Sequence, residues 1–300
     1  MAPHLLALFG PTGVGKTDVA IAIAERIRAR GGRPVAVSAD ALQVYRGLET
    51  LTGVPDAAQR RRLEHRLISC VPIDERFSAG AYAALAHAEI DGLLADGATP
   101  IVVGGTGLYL RAALADLALR PPPAAGARER RLADLAERGP QALHAELALR
   151  APDTARTIDP RDSRRVVRAL ELHDEGALAP VSGPNRLWTS ETRHPTRLVG
   201  LVRERAELYE RIDRRVDAMV AAGASDEVRR AVAAGASPTA RAALGFEQLL
   251  TGDVDAMKRR TRNYARRQLT WMRKLPDVEL VDLGGREPER VAAAIDSAPA

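Results

Sequence analysis

Gly10-Pro-Thr-Gly-Val-Gly15-Lys16-Thr17 has the spacing G-x-x-x-x-G-K-T. Glycines at these places let successive backbone N–H groups turn inward and cradle phosphate oxygens. The lysine reaches terminal phosphates and the hydroxyl after it suits Mg²⁺. Gly10, Pro11, Thr12, Gly13, Val14, Gly15, Lys16 and Thr17 are therefore expected to bind a phosphorylated ligand, with Thr17 as the metal residue. The motif specifies a phosphate and leaves the reaction open. Two more polar positions close apolar runs: Asp40 follows Pro34-Val-Ala-Val-Ser38-Ala39, and Thr106 lies in Gly104-Gly-Thr106-Gly107 after Thr99-Pro-Ile-Val-Val103.

These residues need elements to carry them. Leu5–Phe9 is a short apolar run that reads as a buried strand, and residues 18–30 follow with a helical pattern. Strand, glycine-rich loop and helix in that order are the context in which the phosphate motif is credible, because the helix directs its positive N-terminal end at the anion. Residues 1–115 alternate strand and helix, which predicts a parallel sheet covered on both faces. Ligands then sit beyond the carboxyl ends of the strands, where the phosphate loop, Asp40 and Thr106 all fall. The fold expected is α/β, a phosphate-loop-NTPase-like parallel sheet core over 1–120 and 196–300.

Pro121-Pro-Pro-Ala-Ala-Gly126 interrupts this pattern. Arg128–Arg138, Gln141–Arg150 and Ser163–Asp174 read as helices, and the Gly/Pro/Ser-rich stretch Glu175–Pro195 closes the segment, which predicts a helical insert over 121–195. Thr196–Leu201 reads as a strand returning to the sheet. Helices are expected at Arg203–Ala222, Ser225–Ala234 and Asp253–Leu275, then a strand at Val278–Leu283 and a helix at Pro288–Ile295.

Composition narrows the function classes. The chain has 300 residues and 46% hydrophobic content, enough for a substantial core. One cysteine, Cys70, cannot form an internal disulfide, which suits a reducing cytosol. Six scattered histidines offer no zinc spacing. No apolar run is long enough to span a membrane, and the N-terminal apolar stretch, running straight into the phosphate loop, is too short for a signal peptide. The net charge of +5 points to a polyanionic partner. Lys258 to Lys274 holds eight basic residues and no acidic one. At helical spacing Lys258, Arg262, Arg266 and Arg273 share one stripe, while Ala265, Leu269 and Met272 share another. With Tyr264 and Trp271 beside it, the basic stripe suits a nucleic acid backbone and a stacked base.

Taken together, these stretches resemble the tRNA dimethylallyltransferase (IPP transferase) family. The resemblance is carried by Gly10–Thr17, Ser38-Ala-Asp40 with Gln43-Val-Tyr45-Arg-Gly47, Phe77-Ser-Ala79, and Val103-Gly-Gly-Thr106-Gly-Leu-Tyr109-Leu. It continues through Asp162, Arg165 and Arg168-Ala-Leu-Glu171, then Arg205 with Leu208-Tyr-Glu-Arg-Ile212, Leu244-Gly-Phe-Glu247 and Arg262–Arg273. It implies transfer of a dimethylallyl group from dimethylallyl diphosphate to the exocyclic N6 amine of the adenosine 3′ to the anticodon. Mg²⁺ is required and diphosphate leaves. It also implies a cytoplasmic monomer whose insert grips the anticodon stem-loop.

On that reading Asp40 accepts the amine proton or partners Mg²⁺. Lys16, Thr17-bound Mg²⁺ and Arg205 neutralise the leaving group, and Thr106 orients diphosphate oxygens or the amine. RNA contacts are expected from Asp40, Ala41, Leu42, Gln43, Thr106, Arg128, Arg164, Arg165, Val166, Val167, Arg168, Gly245, Phe246, Glu247, Lys258, Arg262 and Arg266. Departures from the family pattern at Ala41, Val54, Asp159, Arg161 and Ala242 lie near those expected contacts rather than at the phosphate loop. Without the resemblance, three other readings compete: a small-molecule kinase, a prenyltransferase of free adenine nucleotides, and an RNA-binding NTPase switch.

Overall fold

The computed structural model of the protein describes residues 5–120, 122–124, 126–178 and 186–297. It divides into two units. One takes in the chain up to Leu119 and from Arg186 onward, and the other is Arg120–Asn185.

The first unit is built on one six-stranded sheet. Its strands are β1 Leu5–Phe9, β2 Pro34–Ala39, β3 Glu64–Arg66, β4 Thr99–Gly104, β5 Thr196–Val202 and β6 Glu279–Asp282. They run in the order β3-β2-β4-β1-β5-β6, and every pairing is parallel. The apolar runs form the interior: all six residues of β2 are buried, as a strand covered on both faces requires. The edges β3 and β6 are short and carry charges such as Glu64, Arg66, Glu279 and Asp282, which discourages further pairing. Alternation along β1 sends Ala7 and Phe9 into one core and Leu8 into the other.

Among the described residues of this unit, helices pack around the sheet. They are α1 Lys16–Ala29, α2 Glu49–Thr52, α3 Ala57–Arg62, α4 Ala79–Ala95 and α5 Gly107–Leu114, then α9 Arg205–Ala221, α10 Ala224–Ala233, α11 Phe246–Leu250, α12 Val254–Met272 and α13 Pro288–Ser297. Tyr82 and Tyr109, from α4 and α5, pack with centroids 4.5 Å apart in the first core. Val19 and Ile23 of α1 meet Ile212 and Ile295 in the second.

The register positions the chemistry. Ala39 and Phe9 both pair with Gly104, so β2, β4 and β1 end side by side. The segments that follow, with Asp40, Thr106 and the phosphate loop, therefore emerge at one edge of the sheet.

The second unit holds α6 Ala127–Arg150, α7 Pro152–Arg156 and α8 Ser163–Asp174. Gly139 leaves the helical region at φ 77° and ψ 166°, just before Pro140. This breaks α6 where two helices were expected. Leu143, Leu147, Ala155, Val166, Val167 and Leu170 form its core. Arg131, before the break in α6, pairs with Asp174 of α8 at 2.6 Å and with Glu146, after the break, at 3.0 Å.

The insert ends earlier than composition suggested. Residues 186–195 pack with the sheet unit, although 179–185, together with Pro121 and Ala125, lie outside the described residues. Arg111 donates to the carbonyls of Arg186 at 2.7 Å and Glu191 at 2.9 Å. Trp188 meets Trp271 at 4.5 Å between centroids, and Arg193 pairs with Asp91 and Asp116. Among the described residues no helix is long and apolar enough to cross a membrane.

Candidate active site

The phosphate loop wraps the start of α1. Gly15, at φ 110°, caps the helix in a conformation that a side chain would strain. The Lys16 amine donates to the carbonyls of Gly10 and Pro11 at 2.9 and 3.0 Å. Burial pushes its pKa down to about 8; nearby Asp40 pulls it up and Arg215 pushes it further down. Two more guanidinium groups grip the loop from outside. Arg203 Nε donates to Val14 O at 2.9 Å and Arg211 Nε to Gly13 O at 3.0 Å.

A cavity of about 450 Å³ opens above this loop. Lys16, Thr17 and Asp18 line it from α1, Asp40 and Gln43 from the loop after β2, and Arg211, Arg214 and Arg215 from α9. Apolar side chains share the lining: Leu51, Val216, Met219, Leu244 and Met257. Arg215 is held below its ordinary pKa by burial, with Asp40 and Asp18 opposing. It packs so closely on Gly53 that a Cβ there would come within 1.8 Å of Arg215 Nη2.

Asp40 lines the cavity, whereas Thr106 is not among its lining residues and reaches the Asp40 turn through Ala41. Asp40 Oδ1 accepts the N–H groups of Leu42 at 2.9 Å and Gln43 at 3.4 Å, which fixes the carboxylate in an Asx-type turn. The Thr106 hydroxyl accepts the Ala41 N–H at 3.4 Å and meets the Tyr264 phenol at 3.2 Å. Burial, then the charge of Asp40, raises that phenol to about 12, so it is neutral at physiological pH. Gln43 is engaged at both ends of its amide, accepting from Ser38 Oγ and donating to Gly53 O, each at 3.0 Å.

Thr17, Asp18 and Asp40 line the cavity and could offer side-chain oxygens to a cation. That fits Mg²⁺, which commonly takes one or two protein oxygens and completes its shell with phosphate and water.

Several expected site residues lie away from the cavity or in the cores. Arg205 opens α9 as an exposed side chain, its guanidinium 5.3 Å from the centre of the Tyr209 ring. The α9 arginines at the cavity are instead Arg211, Arg214 and Arg215. Arg211 and Arg215 lie four residues apart and so share a helix face, the spacing from which the sequence could have singled them out. Val166 and Val167 are buried in the second unit's core and Phe246 in the first unit's, so these three cannot present side chains to RNA. Gly245 at φ 93° caps α11 against Met257. Glu247 pairs with Arg241 at 2.9 Å.

The cationic positions divide in the same way. Arg128 and Arg168 both clamp the fully buried Glu171, at 2.8 and 3.0 Å. Arg165 pairs loosely with Asp162 at 3.4 Å, and Arg164 is exposed. The basic stripe of α12 is partly neutralised by α9, since Lys258 meets Asp217 and Arg262 meets Asp213, both at 2.6 Å. Asp213 lies 49 residues from Arg262 in sequence, and Asp217 is similarly distant from Lys258, so counting charges within the helix missed them. Arg266 stays exposed beside Asn263 at 2.8 Å. Arg260, Arg267, Arg273 and Lys274 are also exposed, with Arg267 over the Tyr264 ring and Lys274 over the Trp188 ring.

The chain is similar to known proteins over nearly its whole length. The family model described as IPP transferase matches residues 43–275. The chain is 39% identical over 295 residues to the tRNA dimethylallyltransferase of Symbiobacterium thermophilum, covering 94% of this chain and 90% of the relative. It is 40% identical over 300 residues to that of Streptomyces griseus, covering 96% and 93%. The full-length tRNA isopentenylpyrophosphate transferase of Bacillus halodurans superposes with a TM-score of 0.69 at 32% identity, over 98% of this chain and 94% of that one. A eukaryotic dimethylallyltransferase shares the fold, with a TM-score of 0.70 at 24% identity.

Proposed function

The chain belongs to the IPP transferase family and its function is that of a tRNA dimethylallyltransferase; we propose that the cavity above the phosphate loop is where dimethylallyl diphosphate and the target adenosine meet. The observation that carries this reading is one cavity lined by the phosphate loop, by Asp40 and by apolar side chains. A diphosphate needs the first and a proton-bearing amine the second. A five-carbon prenyl group needs the third.

In this mechanism the diphosphate lies on the loop against Lys16, with Arg211 and Arg215 facing its charge. Thr17, with Asp18 or Asp40, would hold Mg²⁺, which when bound neutralises diphosphate charge. The N6 amine of adenosine attacks C1 of the dimethylallyl group. A C–N bond forms as the C–O bond breaks, and the diphosphate departs with the electron pair. The proton on the amine passes to Asp40, held in its turn by two backbone N–H groups. Thr106 orients the amine or the leaving oxygens. Charge on the departing diphosphate is stabilised by groups already in place. The protein acts as a cytoplasmic monomer on the anticodon stem-loop, and exposed cations such as Arg164, Arg260, Arg266 and Arg267 meet its phosphates.

The test mixes purified protein, Mg²⁺ and labelled dimethylallyl diphosphate with unmodified tRNA or with AMP. Label should enter tRNA at the adenosine 3′ to the anticodon. Label in AMP alone, or no transfer to tRNA, would overturn the proposal.

A further inference from the structure

One face of α12 sits directly on both loops of the site. Tyr264, Gln268 and Trp271 recur at the i, i+4, i+7 spacing of that face. Gly104, at the end of β4, is pressed by Ala39 of β2, and Gly105 and Gly107 beyond it by this helix. A Cβ on Gly107 would come within 2.2 Å of the Trp271 ring, and one on Gly105 within 2.4 Å of Gln268 Nε2.

Gln268, only 4% exposed, uses both ends of its amide across this seam. Its Oε1 accepts the Thr12 N–H of the phosphate loop at 2.9 Å, and its Nε2 donates to Gly105 O at 2.7 Å. One turn earlier the Tyr264 phenol meets the Thr106 hydroxyl, which also accepts the N–H of Ala41, next to Asp40. The loop for the leaving group and the loop for the nucleophile are thus tied to one helix by two neighbouring side chains.

We infer that Gln268 and Tyr264 are positioning residues for prenyl transfer: Gln268 sets the spacing between the phosphate loop and the Thr106 loop, and Tyr264 aims the Thr106 hydroxyl. The inference rests on the prenyl-transfer reading above. Gln is suited to this place because its amide accepts on one side and donates on the other. An ionised Glu would oppose the Gly105 carbonyl, and Met would fill the space but leave both backbone groups unpartnered. Misplacing reacting groups by about 1 Å costs on the order of 100-fold in rate. Both residues also line the cavity, and their bonds to the loops are what the loss in turnover reports.

The test compares Gln268→Met, Gln268→Glu, Tyr264→Phe, Thr106→Val and the Tyr264→Phe/Thr106→Val pair. It reads kcat on tRNA, the Kd for tRNA, the Kd for a non-reactive dimethylallyl thiolodiphosphate, and Tm. Gln268 variants should lose about tenfold or more in kcat while the tRNA Kd moves less than about twofold and the thiolodiphosphate Kd changes less than kcat does. Tyr264→Phe should lower kcat several-fold in wild-type background and add nothing once Thr106 is Val, since contacting residues are non-additive. A folded Gln268→Met with kcat within about twofold of wild type overturns the inference. So does a kcat loss matched by loss of diphosphate binding, or a Tyr264→Phe effect that multiplies fully with Thr106→Val. If the Gln268 variants do not fold, the Tyr264–Thr106 cycle decides. A wild-type protein with no transfer activity overturns the functional reading instead.

Discussion

Lys16 offers a pH-dependent signature of the phosphate site. Burial, opposed by Asp40 and reinforced by Arg215, lowers its amine from 10.5 to about 8. A diphosphate against the amine supplies negative charge that favours the ammonium, so binding takes up a proton wherever the amine starts neutral. Below about pH 8 the amine is already charged and its protonation adds no pH dependence. At about pH 9 only about a tenth of molecules carry the charge, so the wild-type Kd for dimethylallyl thiolodiphosphate should be roughly tenfold weaker than at about pH 7. Calorimetry in buffers of different ionisation enthalpy should find little proton uptake through Lys16 at about pH 7 and close to one proton at about pH 9. Lys16→Met serves as the reference, because titration of the ligand and of other residues is common to both proteins. A wild-type to Lys16→Met affinity ratio that is the same at both pH values would refute the reasoning. The ligand-free protein has a matching trend of opposite sign. Between about 8 and 10.5 the unfolded lysine holds more proton than the folded one, so stability should rise with pH through Lys16 and lose that rise in Lys16→Met.

Asp40→Asn should lower kcat by about 100-fold or more while tRNA and diphosphate affinities stay near wild type; collapsed binding would make Asp40 an anchor or a cation partner instead. Reversing Arg260, Arg266 and Arg267 to Glu should weaken tRNA binding and flatten its salt dependence, each lost phosphate contact removing roughly 0.7–0.9 from the log–log slope, with Tm nearly unchanged. Reversing Lys258 and Arg262 should instead lower Tm, because each would then face its own aspartate on α9; an unchanged Tm would dissolve those pairs. Phe246→Ala should cost about 3–5 kcal/mol of stability in a denaturant titration, against under about 0.5 kcal/mol for Arg164→Ala, and equal values would contradict the burial assigned to them.

What the sequence made legible was local. The phosphate loop, Asp40 and Thr106 each terminate an apolar strand, and a parallel sheet gathers strand ends by construction. The short edge strand β3, with its charged Glu64 and Arg66, has no apolar run to announce it. Residues 186–195 looked like linker because glycine, proline and serine crowd the stretch before them, yet Trp188 and Arg193 bind them to the sheet unit through partners far away in sequence. Contiguous motif stretches also misled at single residues. A helix or cap turns successive side chains to different sides, so Val166, Val167 and Phe246 face cores although their neighbours Arg165 and Glu247 are exposed.

The same geometry explains where the missing site residues were hidden. Arg211, Arg215, Tyr264 and Gln268 sit on α9 and α12, long helices in which charge and polarity read as solvated faces. Only the packing of these helices onto the strand ends separates the two sides. Arg211 and Arg215 face the phosphate loop and its cavity, whereas Arg205 is exposed. On α12, Gln268 is buried between two loops while Arg266 and Arg267 are exposed. On the proposed reading a basic helix of this kind has two roles: its exposed residues supply charge for a polyanion, and its inward amide and phenol hold the loops to which that polyanion must deliver its base.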